Sequence, residues 1–166
     1  MARRLVGVVM GSASDLPIMR AAVEALAEFD VGCEVRVLSA HRTPDDALGW
    51  ARGAAERGLR VLIAGAGGAA HLPGVLAAVT SLPVVGVPIA ATKLDGMDAL
   101  LAIAQMPSGV PVATVAVDGA RNAGLLAVRI LAAGDDTLRT EVDAFRGRLA
   151  ERVRASDAEL RAEFGA

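Results

Sequence analysis

"RVLIAGAG", residues 60–67, becomes continuously apolar after its first residue and does not alternate between apolar and polar side chains. A strand with one face in water alternates, whereas a strand covered on both faces is apolar throughout. The stretch therefore predicts a buried strand of a parallel sheet. Similar runs recur at a fairly even spacing: LVGVVM (5–10), CEVRVLSA (33–40), PVVGVPIA (83–90) and VPVATVAV (110–117).

Stretches with helical periodicity lie between these runs, for example residues 16–29 and 44–57. This alternation is typical of right-handed βαβ crossovers, which place helices on both faces of a parallel sheet. A closed eight-unit barrel needs about 250 residues, and the chain has 166. We therefore predict an α/β fold with three layers (αβα), in which five parallel strands form an open sheet of flavodoxin-like order.

The last part of the chain is rich in arginine and glutamate and has a helical period. Its apolar residues recur at steps of three and four: Leu138, Val142, Phe145, Leu149 and Val153. This pattern predicts a C-terminal amphipathic helix over residues 137–164, packed either on its own sheet or on a neighbouring subunit. We accordingly divide the chain into a flavodoxin-like domain, residues 1–134, and a helical extension, residues 135–166.

Composition excludes several classes of protein. The net charge of −2, the absence of tyrosine and the single tryptophan argue against a nucleic-acid partner. Cys33 is the only cysteine, which excludes an internal disulfide and favours the reducing cytoplasm. "MARRLVGVVMGSAS" resembles a short signal peptide, but a first buried strand explains its six-residue apolar run better. No apolar stretch is long enough to predict a membrane span.

Ligands of open parallel sheets bind beyond the carboxyl ends of the strands, so the residues after each run matter most. "GSASD" (11–15) follows the first run. One interpretation is helix capping by Ser14 or Asp15. The other is an anion site, in which backbone N–H groups and the hydroxyls of Ser12 and Ser14 bind phosphate while Asp15 binds ribose hydroxyls. The spacing leaves both open.

"SAHRTPDD" (39–46) follows the second run. Thr43 as N-cap and Pro44 in the first turn explain a helix start, but they do not explain Ser39, His41 and Arg42. An arginine beside a helix N-terminus is electrostatically unfavourable, because the dipole is positive there. A bound anion would remove that conflict, so this segment predicts an anionic ligand beside an imidazole.

"GAGGAAHLPG" (65–74) follows the third run and contains the pattern G-x-G-x-x-A. A dinucleotide site would need an acid about 20 residues later, at the end of the next strand. "PVVGVPIA" contains no acid, which disfavours that interpretation. The glycines instead offer a backbone that a flat ligand can approach closely, next to His71.

The remaining loops carry less chemistry. "IAATKLDGMDALLAIAQMP" (89–107) is interpreted as a loop and a packed helix, and Asn122 as the cap of the helix after the fifth strand. His41 and His71 lie 30 residues apart with no third ligand at a suitable spacing, so no metal site is predicted. The chain also lacks a triphosphate-binding loop and a G-x-S-x-G elbow.

Several motifs together resemble one known family. MGSASD, SAHRTPD, AGAGGAAHLPG, GVP, LLAIAQMPSGVPVATVAV and NAGLLAVRIL occur in the order and spacing of the N5-carboxyaminoimidazole ribonucleotide mutase family of purine biosynthesis, over about residues 5–132. The uninterrupted AGAGGAAHLPG resembles the class I, bacterial-type branch rather than the related carboxylases that use free carbon dioxide. The resemblance makes residues 1–134 the catalytic domain.

The resemblance implies an isomerase that moves a carboxylate from the exocyclic nitrogen to C4 of an aminoimidazole ribonucleotide. It implies no ATP, metal or biotin, and a homo-octamer whose C-terminal helix reaches over a neighbour. His41 matches the general acid and base. The other matching positions bind the ribonucleotide or surround the migrating carboxylate: Ser12, Ser14, Asp15, Ser39, Arg42, Gly67, Gly68, Ala69 and His71.

In this reading Arg42 neutralises the phosphate, and His41 gives a proton to the carbamate nitrogen and later takes one from C4. An imidazole suits both transfers, because its ordinary pKa lies near neutrality. The alternative is a flavodoxin-like protein that binds a phosphoribosyl ligand without catalysis. That alternative explains Arg42 and the serine loop, residues 11–15, but gives His41 no role.

Overall fold

The computed structural model describes residues 4–165. The strands are β1 (Arg4–Met10), β2 (Gly32–Val37), β3 (Val61–Gly67), β4 (Val84–Ile89) and β5 (Ala113–Thr114). The helices are α1 (Leu16–Ala27), α2 (Pro44–Arg52), α3 (Leu72–Ala77), α4 (Met97–Ala104), α5 (Ala120–Ala132) and α6 (Asp136–Phe164). Across residues 4–165, none of these helices combines the length and apolarity needed to cross a membrane.

All strand pairs are parallel, and the sheet order is β2-β1-β3-β4-β5. The predicted five-stranded sheet of flavodoxin-like order is therefore confirmed. Val8 of β1 pairs with Val35 of β2 on one side and with Ile63 of β3 on the other. From β1 the chain first adds β2 on one side of the sheet and then returns to add β3 on the other side. A crevice opens beyond the carboxyl ends of β1 and β3 at such a point.

Helices cover both faces of the sheet, which confirms the three layers. One core cluster joins the sheet to α1, α5 and the first half of α6, with Met19 and Phe29 among its buried members. The other joins it to α2, α3 and α4, through Trp50, Leu76 and Ile103. Burial on both faces is why the central strands are continuously apolar.

Helices α1 and α5 approach each other closely at a glycine. Gly124 of α5 is buried, and a Cβ atom there would lie 2.7 Å from the carbonyl oxygen of Ala22 in α1. A side chain of any size would force the two helices apart. The position of α1, which follows the loop after β1, therefore depends on this contact.

Helix α6 has two halves with different surroundings. Leu138 and Val142 pack on the core, and Phe145 is 9% exposed, with its ring edge-on to Phe29 at a centroid distance of 5.5 Å. Further along, Val153 is 70% exposed and Phe164 is 74% exposed. The first half of α6 therefore packs on the core of its own chain, which is one of the two predicted packing modes.

Two predicted elements are much shorter than expected. The helix predicted over residues 44–57 is α2, which stops at Arg52 because the chain turns at Gly53. Arg57 instead folds back, and its guanidinium donates to the carbonyl oxygen of Trp50 at 2.9 Å. The free carbonyl groups at a helix end need such donors.

The run over residues 110–117 forms only the two-residue strand β5. The neighbouring strand β4 contains Pro88, which has no N–H group to donate to a continued ladder. The carbonyl oxygen of Pro88 accepts from the N–H group of Asp118, which lies beyond the predicted run. The helix after this run begins at Ala120 with Gly119 as N-cap, so Asn122 lies within the first turn. The prediction that Asn122 caps the helix is wrong.

Candidate active site

A cavity of about 240 Å³ lies at the carboxyl edge of the sheet, between the loops that follow β1, β2 and β3. Eight of the ten predicted site residues line it: Ser12, Ser14, Asp15, Ser39, His41, Arg42, Gly67 and Ala69. The other two, Gly68 and His71, belong to the same loop as Gly67 and Ala69. The structure thus brings together side chains from three separate segments.

The loop after β1 forms a short 3₁₀ turn over Ala13–Asp15. Ser12 caps this turn: its hydroxyl accepts from Ser14 N at 3.3 Å, and Ser12 N donates to the Asp15 carboxylate at 3.2 Å. Asp15, one of the two predicted caps of α1, does occupy the N-cap position of that helix, but its side chain makes no capping bond to it. Helix α1, which follows directly, has no side-chain cap. The N–H group of Leu16 donates to the Ala13 carbonyl oxygen and Pro17 has no N–H group, so the groups that this loop offers to an anion are its hydroxyls.

Asp15 is the acidic residue of this loop and is buried, with 8% of its surface exposed. Burial raises the pKa of its carboxyl group, although the hydrogen bonds from Ser12 and Ser14 and the charge of Arg42 act in the opposite direction. An acceptor held in this way can bind hydroxyl donors of a ligand at the cavity wall.

The loop after β2 is held closed by its own hydrogen bonds. Thr43 occupies the N-cap position of α2 but makes no capping bond. Its hydroxyl instead accepts from Ser39 N at 3.0 Å and donates to the Ser39 carbonyl oxygen at 3.3 Å. The predicted capping role of the Thr43 side chain is therefore wrong, and the residue serves to fix the turn that carries His41 and Arg42.

Arg42 links the first two loops. Its Nη2 atom donates to the carbonyl oxygen of Gly11 at 2.9 Å, and its Nε atom donates to the Ser39 hydroxyl at 3.4 Å. A second hollow, of about 330 Å³, adjoins the cavity and shares Gly11, Ser12, Ser39 and Arg42 with it. The guanidinium group therefore stands inside a longer crevice, among hydroxyl and backbone groups that suit an anion.

The loop after β3 forms the opposite wall of the cavity. A Cβ atom on Gly67 would lie 2.6 Å from Cβ of Ala91, and Gly68 has a φ of +62°. Both positions thus need glycine, one for space and the other for its left-handed backbone conformation. The result is a wall of backbone rather than side chains.

His71 ends this wall and contacts His41. The Nε2 atom of His41 lies 2.9 Å from Nδ1 of His71, although the residues are 30 positions apart. Both imidazoles are exposed, so a ligand in the cavity can reach them. Within residues 4–165, no three or more His, Cys, Asp or Glu side chains are arranged to hold a metal ion.

Five lining residues were not among the predicted ones: Gly11, Ala40, Ala66, Leu72 and Ala91. Gly11 acts through its carbonyl oxygen, which sequence reasoning about side chains does not detect. Ala91 follows β4 by two residues, so the strand-end rule pointed to it. The interpretation of its segment as packing alone was therefore incomplete.

Several known proteins are similar to this chain in sequence and fold. An N5-carboxyaminoimidazole ribonucleotide mutase of Mycobacterium tuberculosis is 64% identical over 158 residues, which cover 95% of this chain and 91% of that protein. One from Synechocystis is 54% identical over 156 residues, covering 94% and 89%. The crystal structure of Treponema denticola PurE is similar with a TM-score of 0.86 at 27% identity, covering 96% of this chain and 99% of that one.

The family model described as AIR carboxylase matches residues 5–152, which include every loop of the cavity and the first half of α6. The match thus extends through the sheet, the loops at its carboxyl edge and the buried part of the C-terminal helix. On this match and these identities, the chain belongs to the AIR carboxylase family.

Proposed function

We propose that the chain is an N5-carboxyaminoimidazole ribonucleotide mutase, an isomerase of purine biosynthesis. The names of its relatives support this reaction. The observation that carries it is the meeting of a guanidinium group, from Arg42, and an imidazole, from His41, at one cavity. A cationic anchor for the phosphate and a proton carrier are the two groups that the rearrangement requires of the protein.

The ribonucleotide would bind along the crevice between the first two loops. Its phosphate pairs with Arg42 and with the hydroxyls of Ser12 and Ser39, which surround the guanidinium group. The nearby carboxylate of Asp15 accepts from ribose hydroxyls, as its charge does not suit phosphate. Ser14, whose hydroxyl lies 2.9 Å from that of Ser12, adds a donor to the same wall.

Bound in this way, the imidazole ring of the substrate reaches His41. His41 gives a proton to the carbamate nitrogen, the N–C bond breaks, and carbon dioxide and the free amine form. C4 of the substrate then attacks carbon dioxide, and the proton displaced from C4 returns to His41. The proton balance closes on one residue, because an imidazole can donate a proton in its charged form and accept one in its neutral form.

Carbon dioxide must stay in the cavity between the two steps. The backbone wall of Gly67, Gly68 and Ala69 is narrow and free of large side chains. Its N–H groups can hold the carboxylate before cleavage and after recapture, and His71 closes one end. We propose these positions as the pocket of the migrating group.

We further propose that the reaction needs no ATP, biotin or metal. The direct test incubates the purified chain with the carbamate substrate in the presence of a chelator and without nucleotide, and follows the absorbance of the carboxylated imidazole. We expect full conversion. Activity that disappears with the chelator and returns with an added metal would contradict this part of the proposal.

The same assay separates the mutase from the alternative, a flavodoxin-like protein that binds a phosphoribosyl ligand without catalysis. A binding protein would retain the ribonucleotide in calorimetry but show no conversion. Conversion of the amine form with added bicarbonate, but not of the carbamate, would instead indicate a carboxylase that uses free carbon dioxide.

The assembly and location are also proposals. The exposed apolar residues of the second half of α6, including Val153 and Phe164, support contact with another copy. We propose a homo-octamer in which this half of the helix lies on a neighbour, residues 1–134 form the catalytic domain and residues 135–166 the extension. The single cysteine supports a cytoplasmic location.

A further inference from the structure

The segment after β4 stands directly behind the glycine wall of the cavity. Ala91 lines the cavity and limits the space at Gly67, as described above. Its neighbour Thr92 is similarly close to the next glycine: a Cβ atom on Gly68 would lie 3.3 Å from Cγ2 of Thr92. The shape of the wall therefore depends on where Ala91 and Thr92 are held.

A hydrogen bond to α4 holds this segment. The hydroxyl of Thr92 donates to Oδ2 of Asp98 at 2.7 Å and accepts from Leu94 N at 3.1 Å. Asp98 lies in the first turn of α4, a helix anchored in the core by Ala99 and Ile103. The hydroxyl thus joins an exposed loop to a buried helix.

The Thr92 hydroxyl is the main hydrogen-bond partner of the Asp98 carboxylate. Its Oδ1 atom is shielded from water and has no hydrogen-bond partner among residues 4–165. The Thr92 hydroxyl, followed by the backbone N–H groups of Ala99 and Asp98, holds the pKa of the carboxyl group below its ordinary value. The hydrogen bond from Thr92 is therefore charge-assisted at neutral pH, which makes it stronger than one between neutral groups.

We propose that Asp98 is a positioning residue for the retention of carbon dioxide, acting through Thr92 on the wall formed by Gly67 and Gly68. The inference rests on the proposed mutase function. Neither Asp98 nor Thr92 needs to touch the substrate. Carbon dioxide is uncharged after the N–C bond breaks, so the shape of the wall, rather than an ion pair, keeps it beside C4.

A displaced wall gives a defined chemical result. If carbon dioxide leaves before C4 attacks it, the substrate has lost its carboxylate and gained a proton from His41, which solvent then replaces. The by-product is the aminoimidazole ribonucleotide, formed in place of the carboxylated isomer. The share of by-product among all molecules consumed therefore measures retention, separately from the rate.

The experiment compares Thr92→Val and Asp98→Asn with the parent. Valine keeps the shape of threonine without the hydroxyl, and asparagine keeps the shape of aspartate without the charge. We expect the share of by-product to rise about threefold to tenfold in both variants, the range expected when a charge-assisted hydrogen bond is weakened. The spontaneous loss of carboxylate, measured without enzyme, is subtracted.

Two further variants serve as controls. Thr92→Ser keeps the hydroxyl and should restore the parental share of by-product. Asp95→Asn removes an exposed carboxylate of the same loop that makes no side-chain hydrogen bond in the structure, and it should match the parent. An unfolded fraction lowers the total conversion but leaves the corrected share of by-product unchanged, so loss of folding does not imitate the effect.

A parental share of by-product in both Thr92→Val and Asp98→Asn, with the parent active, would overturn the positioning role alone. If Asp98→Asn does not fold, Thr92→Val decides, because valine fills the same space. A parent that converts no carbamate substrate would overturn the mutase function, and the positioning role with it.

Discussion

The Nε2 atom of His41 lies 2.9 Å from the Nδ1 atom of His71, and the two imidazole planes meet at 87°. Only one hydrogen atom fits between two nitrogen atoms at this distance, so one ring donates and the other accepts. A pair in which both rings carry two N–H groups cannot keep the contact. The arrangement couples the proton on His41 to the state of His71.

Substitution of His41 by asparagine tests the proton transfers. The amide keeps hydrogen-bonding capacity but cannot carry a proton, while Arg42 and the serine hydroxyls remain to hold the phosphate. We expect turnover to fall by about 10²–10⁴-fold, the usual contribution of general acid and base catalysis, or by more because His41 serves both proton transfers. Ligand affinity by calorimetry and the melting temperature should stay near those of the parent.

A contrary result is equally clear. If His41 only packs in its turn, the asparagine variant should melt at a lower temperature and turn over almost normally per folded molecule. A variant that melts like the parent, binds the ribonucleotide and reacts within a factor of about ten of it would remove His41 as the catalyst.

Arg42→Ala should mainly weaken binding. The guanidinium group lies among hydroxyls at the crevice, and a lost charge-assisted contact to phosphate costs about 1.5–3 kcal/mol, or about tenfold to more than hundredfold in affinity. Arg52→Ala is a matched control, since Arg52 ends the helix that Arg42 precedes. Equal affinities of the Arg42 variant and the parent for the ribonucleotide would exclude a phosphate contact.

Asp15→Asn should change how stability depends on pH. Burial raises the pKa of Asp15 above its ordinary value of 3.8, so the stability contributed by its protonated form is complete below that value and is lost as the pH rises through the raised pKa. Asparagine does not ionise. The melting temperature of the variant should therefore improve relative to the parent as the pH rises above 3.8, although its ligand affinity falls.

Glu28→Gln provides the opposite sign in the same experiment. The hydrogen bond from Arg121 lowers the pKa of Glu28, so its contribution to stability is present above the ordinary value of 4.5 and is lost as the pH falls through the lowered pKa. The melting temperature of this variant should worsen relative to the parent as the pH rises. Two variants with the same slope would contradict the assignment for Asp15.

Removal of residues 149–166 should reduce the assembly while the domain still folds. The cut keeps Phe145 on Phe29 and deletes the exposed part of α6. We expect native circular dichroism with a smaller mass by light scattering. Phe145→Ala tests the buried half instead and should lower the free energy of unfolding by about 3 kcal/mol. An unchanged mass after the cut would contradict a role of the exposed half in assembly.

The sequence predicted the sheet well because burial on both faces leaves a direct record in the residues. Val61 and Ile63 had to be apolar wherever the helices packed. The length of β5 left no such record. It depends on Pro88 of another strand, and a pairing between distant segments is not visible in either segment alone.

The same difference applies to the site. Strand ends bring Asp15, His41 and Arg42 to one edge regardless of detail, so their meeting could be predicted. The contact between Thr92 and Asp98 could not, because it depends on the turn between them. That turn uses left-handed backbone at Asp95, with a φ of 49°, and at Gly96, with a φ of 84°.

The close approach of α1 and α5 at Gly124 limits how this protein can evolve. An alanine at position 124 would push on the carbonyl oxygen of Ala22 in the middle of α1, and the serine loop directly precedes this helix. Such a mutation should change ligand affinity although position 124 does not line the cavity. A substitution of Gly124 should therefore be tolerated only after a compensating substitution in α1, so the order in which the two mutations occur matters.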